Sequence, residues 1–177
     1  MKSLEDQMSM YAAYHQDARN KATHFVGVPA IVLSLFIPLS WMRLPVGGIT
    51  ISGAILFAVV VLAYYGRLDS VLAVATAAVT ALLLYAAELI SREPTPVAMT
   101  WFAVLFGGGW ALQLLGHVFE GRKPALVDNL FQIFVAPIFL CAEAFFALGY
   151  RPELREAVAR RAQELRARAG IQGPTPA

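Results

Sequence analysis

Four long apolar stretches, joined by very short links, constrain this chain more than any other feature of its sequence. They run over residues 24–42, 47–65, 70–90 and 97–116. Each has close to the twenty or so predominantly apolar residues that a helix needs to cross the hydrocarbon core of a bilayer. The links are polar and rich in Pro or Gly, so consecutive helices should be antiparallel neighbours. The sequence therefore predicts an all-α integral membrane bundle.

The composition excludes an ordinary water-soluble domain. Of the 177 residues, 58% are hydrophobic and only 15% are charged, whereas about 25% are charged in a typical soluble domain. The first twenty residues carry mixed charge and lack the apolar core of a secretory leader, so the first span should act as its own insertion signal. The single Cys141 lies in an apolar run and is expected to be a small buried hydrophobe.

A fifth apolar run, residues 126–149, has the length of a span but contains several polar side chains and Pro137. If this run crossed the membrane, the two sides would carry six and eight cations. If it turned back at Pro137, one side would carry twelve cations and the other two. Because cytoplasmic flanks collect Lys and Arg, the second arrangement is favoured. We expect four full spans plus a broken or re-entrant fifth segment, with both termini cytoplasmic.

The two ends of the chain are predicted to be amphipathic surface helices. Together with the spans, these helices are expected to form a single membrane domain. The arginine-rich tail is explained most simply by contact with anionic lipids. The tail has no interleaved basic and aromatic residues of the kind that would indicate nucleic-acid binding. The preference for Arg over Lys in the whole chain favours a bacterial inner membrane. The expected divisions are an interfacial helix at 1–22, the four spans at 23–116, a polar loop and Pro-broken segment at 117–150, and the cytoplasmic tail at 151–177.

The three histidines of the chain are predicted to meet at one face of the membrane. His24 opens the first span, and His117 closes the fourth span after the chain has returned to its starting side. His15 precedes the first span and joins them. Three imidazoles in an otherwise apolar bundle indicate a functional site, because burying polar groups costs several kcal/mol unless something compensates.

A shared site requires the helix to break between His15 and His24. Nine residues of straight helix would advance the chain by about 13.5 Å and place the two imidazoles on opposite faces. The segment QDARN, residues 16–20, contains Asp17 and Asn20, which readily leave a helix for turns or caps. The alternative is a continuous helix with His24 near a lipid headgroup.

Several motifs resemble a known family. They are Y-H-x(4)-N-x(3)-H-x(2)-G-V-P at residues 14–29, Q-x(2)-G-H-x-F-E followed by P-A-L-x-D-N-L at 113–130, A-P at 136–137 and L-G-Y-x-P-x-L at 148–154. In this order they resemble the small multi-pass family of the fungal 2-hydroxy fatty acid dioxygenase.

The resemblance implies an Fe(II)-dependent enzyme that uses dioxygen to shorten a 2-hydroxy fatty acid by one carbon. The family histidines fall on His15, His24 and His117. Fungal members can carry a second His directly after the first, followed by Asn-Pro, where this chain has Gln16, Asp17 and Ala18. If that second His is a ligand, then Glu120, Asp128 or water should take its place.

On this basis His15, His24, His117 and Glu120 are the expected metal-binding and catalytic residues. Glu120 lies three residues after His117, a spacing that puts both on one helix face, and it is either a fourth ligand or a support for one. Arg122 and Lys123 are candidates for attracting the substrate carboxylate, with topology setting as their alternative role. The residues expected to support the site by hydrogen bonds are Asn20, Gln113, Asp128 and Asn129, with helix capping and interhelical bonding as the alternative.

Other functions remain open from the residues alone. A zinc-dependent membrane lipid hydrolase is the nearest chemical rival, because a three-His site with a nearby Glu could also activate water. A non-catalytic membrane-organising protein is a second alternative, and it predicts that His15 and His24 lie far apart. The expected partners are a 2-hydroxy fatty acid, dioxygen and membrane lipids, and homo-oligomer formation is undetermined.

Overall fold

The computed structural model describes residues 3–121 and 130–168, and these residues are mostly helical. Besides one short 3-10 helix, Leu130–Phe134, there are two strands, β1 (Arg43–Val46) and β2 (Ile49–Ser52). The α-helices in the described residues are α1 (Leu4–Ala12), α2 (Ala18–Trp41), α3 (Gly53–Leu68), α4 (Ser70–Ser91), α5 (Thr95–Glu120), α6 (Ala136–Ala147) and α7 (Pro152–Arg168).

Three helices are long and apolar enough to cross a membrane: α2, α4 and α5. Their outer surfaces carry large apolar side chains, such as Val74 at 72% exposure and Leu82 at 70%. Such a surface is stable in lipid, whereas in water it would be an exposed hydrophobic patch. The predicted membrane-type helical fold is therefore supported, with three candidate spans among the described residues.

The expected span at residues 47–65 is wrong in its first part. Residues 43–52 form an antiparallel hairpin, in which Val46 pairs with Ile49 around Gly47 and Gly48. Both glycines have positive φ, 56° and 88°, which suits the tight two-residue turn of a hairpin. Helix α3 starts only at Gly53 and has 16 residues, so it is about 24 Å long against a hydrocarbon core of about 30 Å.

The chain forms two compact units. One comprises Val26–Leu112, and its core is built from small side chains packed around two large ones: Phe36, Ile37, Ala54, Ala58, Ala87 and Ala98. Small residues let helix backbones approach closely, which is the usual way that membrane helices pack. Within this unit α3 and α4 pack together, separated in sequence only by Asp69, whose carboxylate accepts a hydrogen bond from the Leu72 amide at 2.9 Å.

The other unit comprises the described residues within Met1–Phe25 and Gln113–Ala177, and it contains every described residue of the predicted site. Its first helix, α1, is capped by Ser3, whose hydroxyl accepts a hydrogen bond from the Asp6 amide at 3.1 Å. The fifth apolar run is divided at Val135, between the 3-10 helix and α6. Pro137 occupies the first turn of α6, where a proline is tolerated because its missing N–H would be unpaired anyway.

Candidate metal centre

A break between α1 and α2 brings the first two histidines together. Helix α1 ends at Ala12 and α2 begins at Ala18, so residues 13–17 form a non-helical connection. Its geometry places the Nε2 atoms of His15 and His24 only 3.1 Å apart. The break that a shared site requires is therefore present, and the continuous-helix alternative is excluded.

All three imidazoles converge on one point. The ring centroid of His117 lies 5.1 Å from that of His15 and 5.2 Å from that of His24. One nitrogen from each of the three rings can be chosen so that all lie within 4.8 Å of one another. Each residue is buried, with no more than 6% of its surface exposed. The predicted convergence of the histidines is confirmed, while their role as ligands stays a prediction.

Hydrogen bonds fix which nitrogen of two imidazoles faces the centre. The Nδ1 atom of His15 lies 2.7 Å from the carbonyl oxygen of Tyr11, and that of His24 lies 2.9 Å from the carbonyl oxygen of Asn20. Because a carbonyl only accepts, each Nδ1 must donate, and each Nε2 of the neutral ring then presents a lone pair. Two lone pairs facing each other at 3.1 Å repel unless a cation lies between them.

The spacing of His15 and His24 therefore fits two ligands of one metal ion, and a nitrogen of His117 lies within 4.8 Å of theirs. Metal to imidazole-nitrogen bonds are about 2.0–2.1 Å long, so two neighbouring ligands on one ion lie about 3.0–3.4 Å apart. The 3.1 Å separation of the His15 and His24 nitrogens falls within that range. Burial, and next the neighbouring His24, lower the pKa of His15 well below its usual value. His15 therefore stays neutral at physiological pH and can offer its lone pair.

Glu120 supports the connection between α1 and α2. Its carboxylate accepts hydrogen bonds from the backbone amides of Gln16, at 2.9 and 3.1 Å, and Asp17, at 2.8 Å. The side-chain amide of Asn20 donates a further bond to it at 3.1 Å. Of the two roles predicted for Glu120, this geometry favours support of a ligand, because the carboxylate is already occupied by donors next to His15.

Asn20 links Glu120 to the second histidine. Its side chain donates to Glu120, and its backbone carbonyl accepts from Nδ1 of His24. A carboxylate or carbonyl that fixes the outer nitrogen of a ligating histidine is the common arrangement around protein-bound metals. The sequence prediction of Asn20 as a supporting residue is consistent with this position.

Arg166 is a residue of the site that the sequence analysis missed. Its guanidinium donates to Glu120 at 3.2 Å and to the carbonyl oxygen of Ala13 at 3.1 Å. The sequence analysis assigned the tail arginines to lipid contact, yet Arg166 is only 9% exposed. A signal was available, because Arg166 follows Val158 and Ala162 at intervals of four residues, on the buried face of α7.

Aromatic rings cover the histidine cluster on one side. The Tyr11 ring is stacked on His15 with centroids 4.0 Å apart and an interplanar angle of 6°. Phe139 of α6 packs against Tyr11 at 4.4 Å. These rings shield the imidazoles from water, which strengthens electrostatic interactions within the cluster.

Gly116 allows α2 and α5 to approach closely beside the cluster. A Cβ atom added at Gly116 would collide with the Thr23 hydroxyl and would lie 2.5 Å from Oδ1 of Asn20. We expect Gly116→Val to separate these helix ends and to lower stability by about 1–3 kcal/mol, the usual cost of overpacking. Thermal unfolding of the detergent-solubilised protein measures the change.

Gly108→Val is the matched control, because a Cβ atom there meets no described atom within 4 Å. Equal losses of stability in the two variants would contradict the close approach at Gly116. Of the three consecutive glycines at 107–109, Gly109 is the one that allows close packing among the described residues, since its added Cβ would lie 2.7 Å from Ile31.

The remaining predicted residues divide into two groups. Gln113 lies one helical turn before His117 on α5 and is 7% exposed, and its Nε2 atom has no hydrogen-bond partner within the part of the chain that the structure describes. The others lie outside the described residues, and their predicted roles are untested: Arg122, Lys123, Asp128 and Asn129.

The fold and this site define a class of protein: helical chains with helices able to cross a membrane and a buried three-histidine cluster suited to a metal ion. A sequence profile described as Mpo1-like, 2-hydroxy-palmitic acid dioxygenase Mpo1-like, matches residues 1–148. The chain therefore belongs to the Mpo1-like family, and the family prediction from its motifs is confirmed.

A curated relative agrees with this assignment. The chain is 34% identical over 158 residues to a Saccharomyces cerevisiae protein named 2-hydroxy-palmitic acid dioxygenase MPO1. The alignment covers 86% of this chain and 85% of the relative. No solved structure matches the chain.

Proposed function

We propose that this protein is an Fe(II)-dependent dioxygenase that shortens a 2-hydroxy fatty acid by one carbon. The observation that carries the proposal is the convergence of three buried imidazoles, with the Nε2 atoms of His15 and His24 3.1 Å apart and a nitrogen of His117 nearby. The relative named 2-hydroxy-palmitic acid dioxygenase supports the choice of reaction. It also makes the zinc hydrolase and the non-catalytic alternatives less favoured.

The three histidines would hold the iron, and imidazole is a suitable ligand for it. Iron held by three protein ligands would supply open coordination positions at which dioxygen and the substrate meet. The carbonyl oxygens of Tyr11 and Asn20 keep His15 and His24 in the required tautomer. This prior alignment removes part of the entropic cost of bringing the reactants together.

The reaction balances without an added reductant. One 2-hydroxy acid and one dioxygen give the acid shortened by one carbon, carbon dioxide and water. The hydroxyl group is therefore essential, because the carbon that bears it becomes the new carboxyl carbon. An unsubstituted fatty acid cannot follow the same stoichiometry.

Gln113 is the residue that we assign to the substrate's polar end. Its buried amide nitrogen lacks a hydrogen-bond partner among the described residues, and it lies on the same side of α5 as His117. A buried donor without a partner is costly, so a ligand that accepts its hydrogen bond is stabilised. Arg122 and Lys123 follow α5 in sequence, and we retain them as candidates for attracting the carboxylate.

The topology that we propose has four crossings followed by a segment that turns back. The side-by-side position of His24 and His117 needs an even number of crossings from the start of α2 to the end of α5. Helices α2, α4 and α5 give three, so α3 should cross as well, with local thinning of the bilayer accommodating its 16 residues. This proposal retains four spans within residues 23–116.

The fifth segment is proposed to return to its starting side. Helix α6 has 12 residues and is about 18 Å long, too short to span the hydrocarbon core. The following helix, α7, contacts α1 through an ion pair between Arg161 and Asp6 at 2.6 Å. Both termini are then on one side, which the cation distribution assigns to the cytoplasm. A bacterial inner membrane stays a prediction from Arg usage, and the curated relative is fungal.

Oxygen uptake tests the proposed reaction. Protein purified anaerobically and reconstituted with Fe(II) should consume dioxygen when 2-hydroxypalmitate is added and should release the fatty acid one carbon shorter. Palmitate, which lacks the hydroxyl, is the control and should cause no uptake. Substrate turnover that consumes no dioxygen would contradict the proposal and favour the hydrolase.

A further inference from the structure

The C-terminal helix α7 contributes to the site although it lies beyond the family match. The match ends at residue 148, and α7 begins at Pro152. Arg166, near the end of α7, has a side chain that is only 10% exposed. Arginine is seldom buried unless it is paired, so its contacts indicate what it does.

Those contacts converge on the connection between α1 and α2. One guanidinium nitrogen of Arg166 donates both to the carbonyl oxygen of Ala13 and to the Glu120 carboxylate. Glu120 in turn accepts from the amides of Gln16 and Asp17. His15 lies between these anchored residues, so both the start and the end of its connection are tied to Arg166, directly or through Glu120.

From this arrangement we infer that Arg166 is a positioning residue for His15, which makes α7 part of the metal centre. The inference deepens the proposed function and rests on it where metal binding is concerned. Arg166 touches neither the imidazoles nor the expected substrate position among the described contacts. It acts by holding the Glu120 carboxylate and the Ala13 carbonyl, which set the path of the backbone that carries His15.

The chemistry of arginine suits this role better than that of lysine. The guanidinium group is planar and remains charged, with several donors in a fixed geometry. It can bind a carboxylate and a carbonyl together without rearranging. A lysine ammonium is a compact point charge on a flexible stem, and it is expected to keep the charge but to hold the two acceptors less rigidly.

Arg161 provides the matched control within the same helix. Its guanidinium binds Asp6 at 2.6 Å and lies 3.7 Å from Glu5, both on α1. It therefore joins α7 to the first half of α1, away from residues 13–17, whereas Arg166 joins α7 to Ala13 and to Glu120 of α5. If α7 served only to hold α1 in place, loss of either arginine would have similar effects.

The experiment compares full-length Arg166→Leu, Arg166→Lys and Arg161→Leu with the wild type by two measurements. The first is hydrogen exchange of the Gln16 and Asp17 amides in metal-free protein. The second is the dissociation constant for Fe(II) alone under anaerobic conditions. We expect Arg166→Leu to accelerate exchange at these amides roughly tenfold and to weaken iron binding about 10–100-fold, as loss of an outer support usually does.

Arg161→Leu should leave both quantities close to the wild-type values, and Arg166→Lys should be intermediate. Equal behaviour of Arg166→Leu and Arg161→Leu in both measurements would overturn the positioning role. If Arg166→Leu does not fold, the same two measurements on Arg166→Lys and Arg161→Leu are compared. Equal amide exchange and equal iron binding in these two variants would then overturn the positioning role. Should the wild type bind no metal, the proposed function fails, and hydrogen exchange in the metal-free protein still decides whether Arg166 holds the connection.

Discussion

Replacing His117 with alanine is expected to reduce turnover of 2-hydroxypalmitate by more than about a hundredfold. Loss of a residue that only supports a metal ligand usually lowers metal affinity or activity about 10–100-fold, so loss of a ligand itself should lower activity more. His117 comes from α5, whereas His15 and His24 flank the start of α2. Its loss would leave two imidazoles, with an incomplete site for the ion. Steady-state oxygen uptake by the reconstituted variant measures the effect.

Chemical rescue separates the loss of a ligand from a loss of structure. The His117→Ala variant lacks a side chain in a position that is buried, and free imidazole has the size to occupy the space. Added imidazole should restore part of the oxygen uptake if the ring acts as a ligand. Full activity of His117→Ala without imidazole would show that the cluster is not the reaction centre.

The second large effect is expected on stability, from Glu120→Ala. The Glu120 side chain is 1% exposed and forms an ion pair with Arg166, which is 10% exposed. Removing one partner of a buried pair leaves the other charge uncompensated, which costs about 3–5 kcal/mol. The backbone amides of Gln16 and Asp17 also lose their acceptor. Chemical denaturation in detergent should therefore show a marked decrease in the free energy of unfolding.

Glu88→Ala is the matched control for Glu120→Ala. Glu88 also pairs with an arginine, Arg43, at 3.1 Å, but that arginine is 49% exposed. Ion pairs near the surface contribute about 0–1 kcal/mol, so the control should be almost neutral. A similar decrease in the free energy of unfolding in the two variants would mean that the burial of Glu120 does not give it a special structural role.

The sequence was sufficient to predict the features that depend on local pattern or on the number of helices. Apolar length identified α2, α4 and α5, because the length of an apolar run is a property of one segment. Counting four alternating spans predicted that His24 and His117 would lie at one face of the membrane. The two rings do lie together, although three candidate spans are found among the described residues. The break before α2 was predicted only as a condition of a shared site, because a straight helix would separate His15 from His24, and the structure decides it against the continuous-helix alternative.

The hairpin before α3 shows where apolar pattern alone misleads. Residues 49–52 alternate in a way that suits a strand, but they continue into an apolar run and were assigned to a helix. The turn at Gly47 and Gly48 and the cap at Ser52 decide the outcome. These short-range signals compete with hydrophobic length, and in this segment they outweigh it.

The supporting contacts of the site could not be predicted because they join residues that are distant in sequence. Glu120 and Arg166 are 46 residues apart, and Glu120 is 104 residues from Gln16. Helical spacing correctly put Glu120 on the same helix as His117, but it could not show that backbone amides occupy the carboxylate. Tertiary packing of α7 is what gives Arg166 its partner.

Metal content tests the central claim most directly. Protein purified under anaerobic conditions should contain about one iron per chain by mass spectrometry, and both His24→Ala and His117→Ala should lose it. Stoichiometric zinc in place of iron would contradict the dioxygenase assignment. The absence of any bound metal, even after reconstitution with Fe(II), would contradict the claim that His15, His24 and His117 form a metal centre.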